Sequence, residues 1–196
     1  MLEHACTQLR TWRTRFNHLP RLSLGVNVAP RELDRDSLVG DVKDTLRRVG
    51  FDPHDLILEV TESALVRDQS AVPQLTALNA LGIRVALDDF GTGYSSLRYL
   101  TQLPVDILKL DRHFVADLNG TPEGSAVAQS VIRLGQILHL DVVAEGIEKQ
   151  AQAAELELLG YRTGQGFLYS HPLDPADTAN LLSALNDRPT HLVPTA

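Results

Sequence analysis

The chain has 196 residues, 43% of them hydrophobic, enough for one sizeable core but short of the roughly 250 residues of a complete eight-stranded (β/α) barrel. A formal net charge of -7 with no basic stripe argues against a nucleic-acid backbone as partner. It admits a small phosphodiester only where divalent cations stand between substrate and carboxylates. A single cysteine, Cys6, permits no internal disulfide, and no apolar run reaches the roughly 18 residues of a membrane span, so a cytoplasmic setting is expected.

Leu2, Ala5, Cys6, Leu9 and Trp12 recur at helical intervals through Arg15, so the chain is expected to open within a helix, in mid-fold, rather than in a leader. From there β-branched runs alternate with amphipathic stretches, an order that predicts a parallel sheet flanked by helices. Strands are expected at Leu22–Val28, Leu56–Val60, Arg84–Asp88, Asp106–Leu110, Asp141–Ala144 and Gly164–Tyr169. Between and after them, helices are expected at Leu38–Val49, Ser70–Leu81, Tyr94–Leu100, Ser125–Leu138, Gln150–Leu159 and Pro175–Leu185. Gly50, Gly82 and Gly160 follow three of these helices, where a left-handed cap belongs. The barrel domain is expected to span 1–186, with 187–196, which hold Pro189 and Pro194, as a disordered tail.

Each strand ends in a polar group. Asn27 stands between Val26 and Val28, and Glu59 between Leu58 and Val60; the third strand closes on Asp88-Asp89. The fourth carries Lys109 and Asp111, the fifth reaches Glu145, and the sixth carries Gln165. Parallel barrels gather their strand C-termini on one face, and a charge in a buried strand costs several kcal/mol unless paired or bound to metal. The six placements therefore predict one site. Asn27, Glu59, Asp88 and Asp89 offer hard oxygen ligands suited to Mg²⁺ or Mn²⁺, and the seven histidines are scattered without metal-binding spacing. Adjacent aspartates can serve two neighbouring cations, as in phosphodiester cleavage. Lys109 can stabilise developing charge or orient water, and Glu145 is a candidate base or further ligand. Residues 88–96, Asp-Asp-Phe-Gly-Thr-Gly-Tyr-Ser-Ser, read as a strand end and a glycine-flanked gate. Plainer roles stay open: Asn27 as a turn-capping amide, Glu62 in an exposed salt bridge, Asp111 as a structural carboxylate.

The runs Leu58–Ser63, Asp88–Ser96, Leu108–Arg112, Ala144–Glu148 and Gln165–Phe167 resemble, in order and spacing, the successive motifs of the EAL family of cyclic di-GMP phosphodiesterases. The resemblance implies a TIM-like (β/α) barrel that hydrolyses one phosphodiester bond of cyclic di-GMP with two Mg²⁺ or Mn²⁺ ions. It implies Asn27, Glu59, Asp88 and Asp89 as metal ligands, Lys109 as the group positioning water, and Glu145 and Gln165 as completing the site. It also implies that Glu62 tethers the 88–96 loop, which couples substrate to dimerisation, and that Asp111 and Glu148 hold substrate or support the ligands.

Members of that family begin with two further strands, the second bearing the Glu-Ala-Leu segment and a metal-ligand glutamate. About six strands are present here, so an incomplete barrel with impaired turnover is expected. The alternatives are a module that binds cyclic di-GMP or a protein without turnover, and a fragment of a signalling protein with sensory or diguanylate cyclase domains upstream.

Overall fold

The computed structural model describes residues 1–67, 71–91, 100–118 and 120–185. Its strands are β1 (Leu24–Asn27), β2 (Leu56–Thr61), β3 (Arg84–Phe90), β4 (Ile107–Leu110), β5 (Asp141–Ala144) and β6 (Thr163–Gly164). They pair in chain order, every neighbour parallel, and the sheet curls into part of a TIM-like barrel with β1 and β6 at its edges. The helices are α1 (Leu2–Arg15), α2 (Pro30–Leu33), α3 (Leu38–Val49), α4 (Glu62–Arg67), α5 (Ala71–Asn79), α6 (Arg112–Ala116), α7 (Pro122–Leu138), α8 (Gln150–Leu159) and α9 (Pro175–Ala184).

Strand periodicity sorts the side chains onto two faces. Leu56, Leu58, Val60, Val85, Leu87, Leu108, Leu110 and Val142 face the helices and share the main core with Cys6, Leu46, Leu75 and Leu156. Burying a leucine of this kind contributes about 1.5–3 kcal/mol. The other face carries a small separate apolar layer of Ile57, Ala86, Ile107 and Val143. Two residues further along the same four strands stand Glu59, Asp88, Lys109 and Glu145. An apolar floor thus lies directly beneath the polar positions.

At the opposite strand ends, Asp55 is buried and receives Arg13 of α1 and Arg21 of the following loop. Arg84 of β3 meets Asp141 of β5. These pairs tie the outer segments to the sheet without touching the polar end. Phe16, directly after α1, packs with Ala179 and Leu182 of α9, bringing the first and last helices together.

Among the described residues the expected strands and helices are present, with corrections. The sixth strand is two residues long, because the chain leaves the ladder at Gln165 and wraps Ile147. The Ile147 N–H donates to the Gln165 carbonyl, and the Leu168 N–H donates to the Ile147 carbonyl. The first strand starts at Leu24 rather than Leu22. Helices α2, α4 and α6 were not expected, each being too short for a 3.6-residue period to register. Gly50 and Gly160 take the left-handed cap conformation, and Gly82 also has positive φ. The expected helix at Tyr94–Leu100, apart from Leu100, and the tail at 187–196 lie outside the described residues. Among the described residues, no helix is long and apolar enough to cross a membrane.

Candidate functional site

Lys109 sits at the centre of the polar end, its side chain only 6% exposed. Its Nζ donates to Glu59 Oε2 at 2.5 Å and Glu145 Oε1 at 2.6 Å, and lies 3.2 Å from Asp88 Oδ1. Burial alone would lower the lysine's pKa; the bonds to Glu145 and Glu59 outweigh it and hold the ammonium above its usual range. The fifth strand's carboxylate is braced from the sixth, where Gln165 Nε2 donates to Glu145 Oε1 at 2.7 Å.

Asp88 and Asp89 are neighbours on a strand, which ordinarily sends side chains to opposite faces. The β3–β4 register shifts between Leu87 and Phe90, and Asp89 takes φ of 55°. This bulge turns both carboxylates inward. One oxygen each from Asp88, Asp89 and Glu145 lies within 4.8 Å of the others. The Asp89 N–H also donates to Asp88 Oδ1 at 3.0 Å.

The cluster is short of positive charge. Among the described residues, Glu59, Asp88 and Glu145 contact one lysine, and Asp89 and Asp111 stand beside them. Burial, with Asp88 and Glu59 adding repulsion against the pull of Lys109, pushes Glu145 up to about 7. Asp89 is raised by burial, Asp88 and Asp111. Both shifts favour the protonated form, as burial beside like charge does. The donors are hard oxygens, and such a set fits Mg²⁺ or Mn²⁺.

Asp111 is buried and bonded to Asp89. It also caps α6, accepting the His113 N–H at 2.8 Å, so the structural role left open for it is realised beside the site. Glu62 is buried, not an exposed salt-bridge partner, and accepts the Gly91 N–H at 3.1 Å at the start of the gate loop. The loop's residues 92–96 lie outside the described ones. Asn27 pairs in register with Glu59 but is exposed at the end of β1. Glu148 is exposed, with its N–H on Gln152, and is not gathered into the cluster.

Two participants escaped sequence reasoning. His113, one of seven scattered histidines, places Nδ1 2.5 Å from Asp111 Oδ1; its signal was its position two residues after a strand-end aspartate. Gly25 is the other. A Cβ there would lie 2.5 Å from Glu59 Oε1, so the missing side chain is what gives the carboxylate room. Because the obstacle is the far end of a flexible side chain, Gly25→Ala is expected to shift the melting temperature by less than about 2 °C. Displacing Glu59 should nonetheless weaken Mn²⁺ binding about tenfold in calorimetric titration.

The EAL domain family model matches residues 1–172. MucR of Pseudomonas aeruginosa, named a bifunctional diguanylate cyclase/cyclic di-GMP phosphodiesterase, is 40% identical over 178 residues, covering 90% of this chain. The chain spans about a quarter of the curated relatives it matches, 26% of MucR and 23% of NbdA from the same organism. The EAL domain of Mycobacterium smegmatis DcpA superposes with a TM-score of 0.84 at 39% identity, over 98% of this chain and 84% of that one. Klebsiella pneumoniae BlrP1, solved with manganese and cyclic di-GMP, gives a TM-score of 0.73 at 32% identity, over 84% of this chain and 44% of that one. On the extent of that match and the depth of these likenesses, the chain belongs to the EAL domain family.

Proposed function

We propose that this domain hydrolyses one phosphodiester bond of cyclic di-GMP to the linear dinucleotide, with two Mg²⁺ or Mn²⁺ ions. The observation that carries the reading is the convergence of Asp88, Asp89 and Glu145 around a lysine that cannot neutralise them. Asn27, Glu59, Asp88 and Asp89 would hold the cations, which when bound supply the charge that stabilises attacking and leaving oxygens. Lys109 orients the attacking water through its ammonium. Glu145, held by Gln165 and Lys109, is placed to accept a proton. Glu62 steadies the gate loop at Gly91, while Asp111 and Glu148 act on substrate or support the ligands. The setting proposed is cytoplasmic and the assembly a homodimer, within a longer signalling protein.

The open side of the sheet between β1 and β6 favours a second reading, in which the pocket binds the dinucleotide and turns it over poorly. Release of linear dinucleotide from cyclic di-GMP should require Mn²⁺ or Mg²⁺, stop on adding EDTA and return with excess Mn²⁺. Metal-independent release would sink the two-metal reading. Binding of cyclic di-GMP without release would replace the enzyme by a receptor.

A further inference from the structure

Two residues beyond Gln165, the chain leaves a phenyl ring in water. Among the described residues, Phe167 is the one phenylalanine, tyrosine or tryptophan that is exposed, at 54%, and it joins none of the apolar clusters. The turn that carries it is anchored. The Leu168 N–H donates to the Ile147 carbonyl at 2.9 Å, and the Tyr169 N–H donates to the Gly166 carbonyl at 3.0 Å. A Cβ at Gly166 would stand 2.2 Å from the Ile147 backbone, so only glycine lets the turn close this tightly. The ring of His171, itself exposed, lies against Phe167 with centroids 4.2 Å apart and planes at 31°. Two residues span at most about 7 Å, and Gln165 bonds directly to Glu145, so this pair of rings stands at the rim of the carboxylate cluster.

An apolar ring held in water contributes little to the fold, and on an anchored turn it is a preformed surface for a flat partner. Hard oxygens and the cations they hold serve a phosphodiester; a nucleobase needs a π face. We propose that Phe167, backed by His171, is the platform on which one base of the cyclic dinucleotide stacks while its phosphodiester lies at the carboxylates. Stacking does not read a base's hydrogen-bonding edge, so the platform recognises a planar base rather than guanine in particular.

The inference rests on the cyclic di-GMP reading, and the test separates the two. Binding of cyclic di-GMP to the full 196-residue chain would be measured calorimetrically with Ca²⁺, which takes the same oxygen ligands, for the wild type, Phe167→Ala, Phe167→Leu and Phe167→Trp. Mn²⁺ uptake without dinucleotide and melting temperature in EDTA would be followed in parallel. An exposed ring outside the core can be removed cheaply, so all three variants should melt within about 2 °C of wild type. Phe167→Ala and Phe167→Leu should bind the dinucleotide about tenfold more weakly, and Phe167→Trp, which keeps a π face, within about threefold of wild type. Mn²⁺ uptake should be the same in all four proteins. Wild-type dinucleotide binding that Phe167→Ala leaves unchanged overturns this inference alone, as does a Leu variant that binds as tightly as the Trp variant. Weaker Mn²⁺ uptake by Phe167→Ala also overturns it, because the ring would then act through the metal ligands. A wild type that takes up Mn²⁺ but binds no cyclic di-GMP overturns the cyclic di-GMP reading and the inference with it.

Discussion

Asp88→Asn is expected to make the metal-free domain more stable while removing its response to Mn²⁺. Asp88 is packed against like charge: it raises the pKa of both Asp89 and Glu145, and its only nearby cation among the described residues, Lys109 at 3.2 Å, is shared with Glu59 and Glu145. An asparagine keeps the Oδ1 that accepts the Asp89 N–H and loses the charge. Relief of this repulsion is worth about 1 kcal/mol, or about 2–4 °C in melting temperature for a domain of this size. The same change deletes a carboxylate from the trio best placed for a cation. Dinucleotide release should fall at least about 100-fold, and the upward shift in melting temperature produced by Mn²⁺ in the wild type should disappear. A variant that still gains stability with Mn²⁺ would show that the cation binds elsewhere. One that is less stable in EDTA would show that Asp88 holds the fold rather than burdening it.

Much of this site is legible in the sequence because a parallel barrel leaves few choices. Once β-branched runs are recognised, the residue at each C-terminal end must reach the same face, and Glu59, Asp88, Lys109, Glu145 and Gln165 converge as expected. The less legible features depend on departures from regular geometry. Alternation along β3 would send Asp88 and Asp89 apart; only the register shift and positive φ bring them together, and neither is encoded in a hydrophobic period. The turn at Gln165 is set by Ile147, eighteen positions earlier, so the apolar run to Tyr169 reads as strand until that contact is known. His113 and Gly25 were invisible for a related reason. Each matters through what stands opposite, Asp111 in one case and the space for Glu59 in the other.

Replacing Lys109 with methionine should act in the opposite sense to Asp88→Asn. Methionine matches the lysine stem in length and apolar character, so the variant isolates the ammonium. Without it, Glu59, Asp88 and Glu145 face one another with no counter-charge among the described residues, above the apolar layer of Ile57, Ala86, Ile107 and Val143. Removing one partner of a buried ion pair costs about 3–5 kcal/mol, and Lys109 serves three partners at once. The carboxylates can answer by binding protons, and Glu145 is already pushed up to about 7 with the lysine present. The stability loss, measured by urea unfolding in EDTA, should therefore be largest near about pH 8 and shrink towards about pH 5, where protonation replaces the missing charge. Mn²⁺ supplies cationic charge directly and should recover part of the loss at the higher pH, although dinucleotide release stays low because nothing orients the water. A Lys109→Met protein as stable as wild type in EDTA at about pH 8 would mean that the carboxylates disperse once released, and that the lysine answers their arrangement instead of holding it.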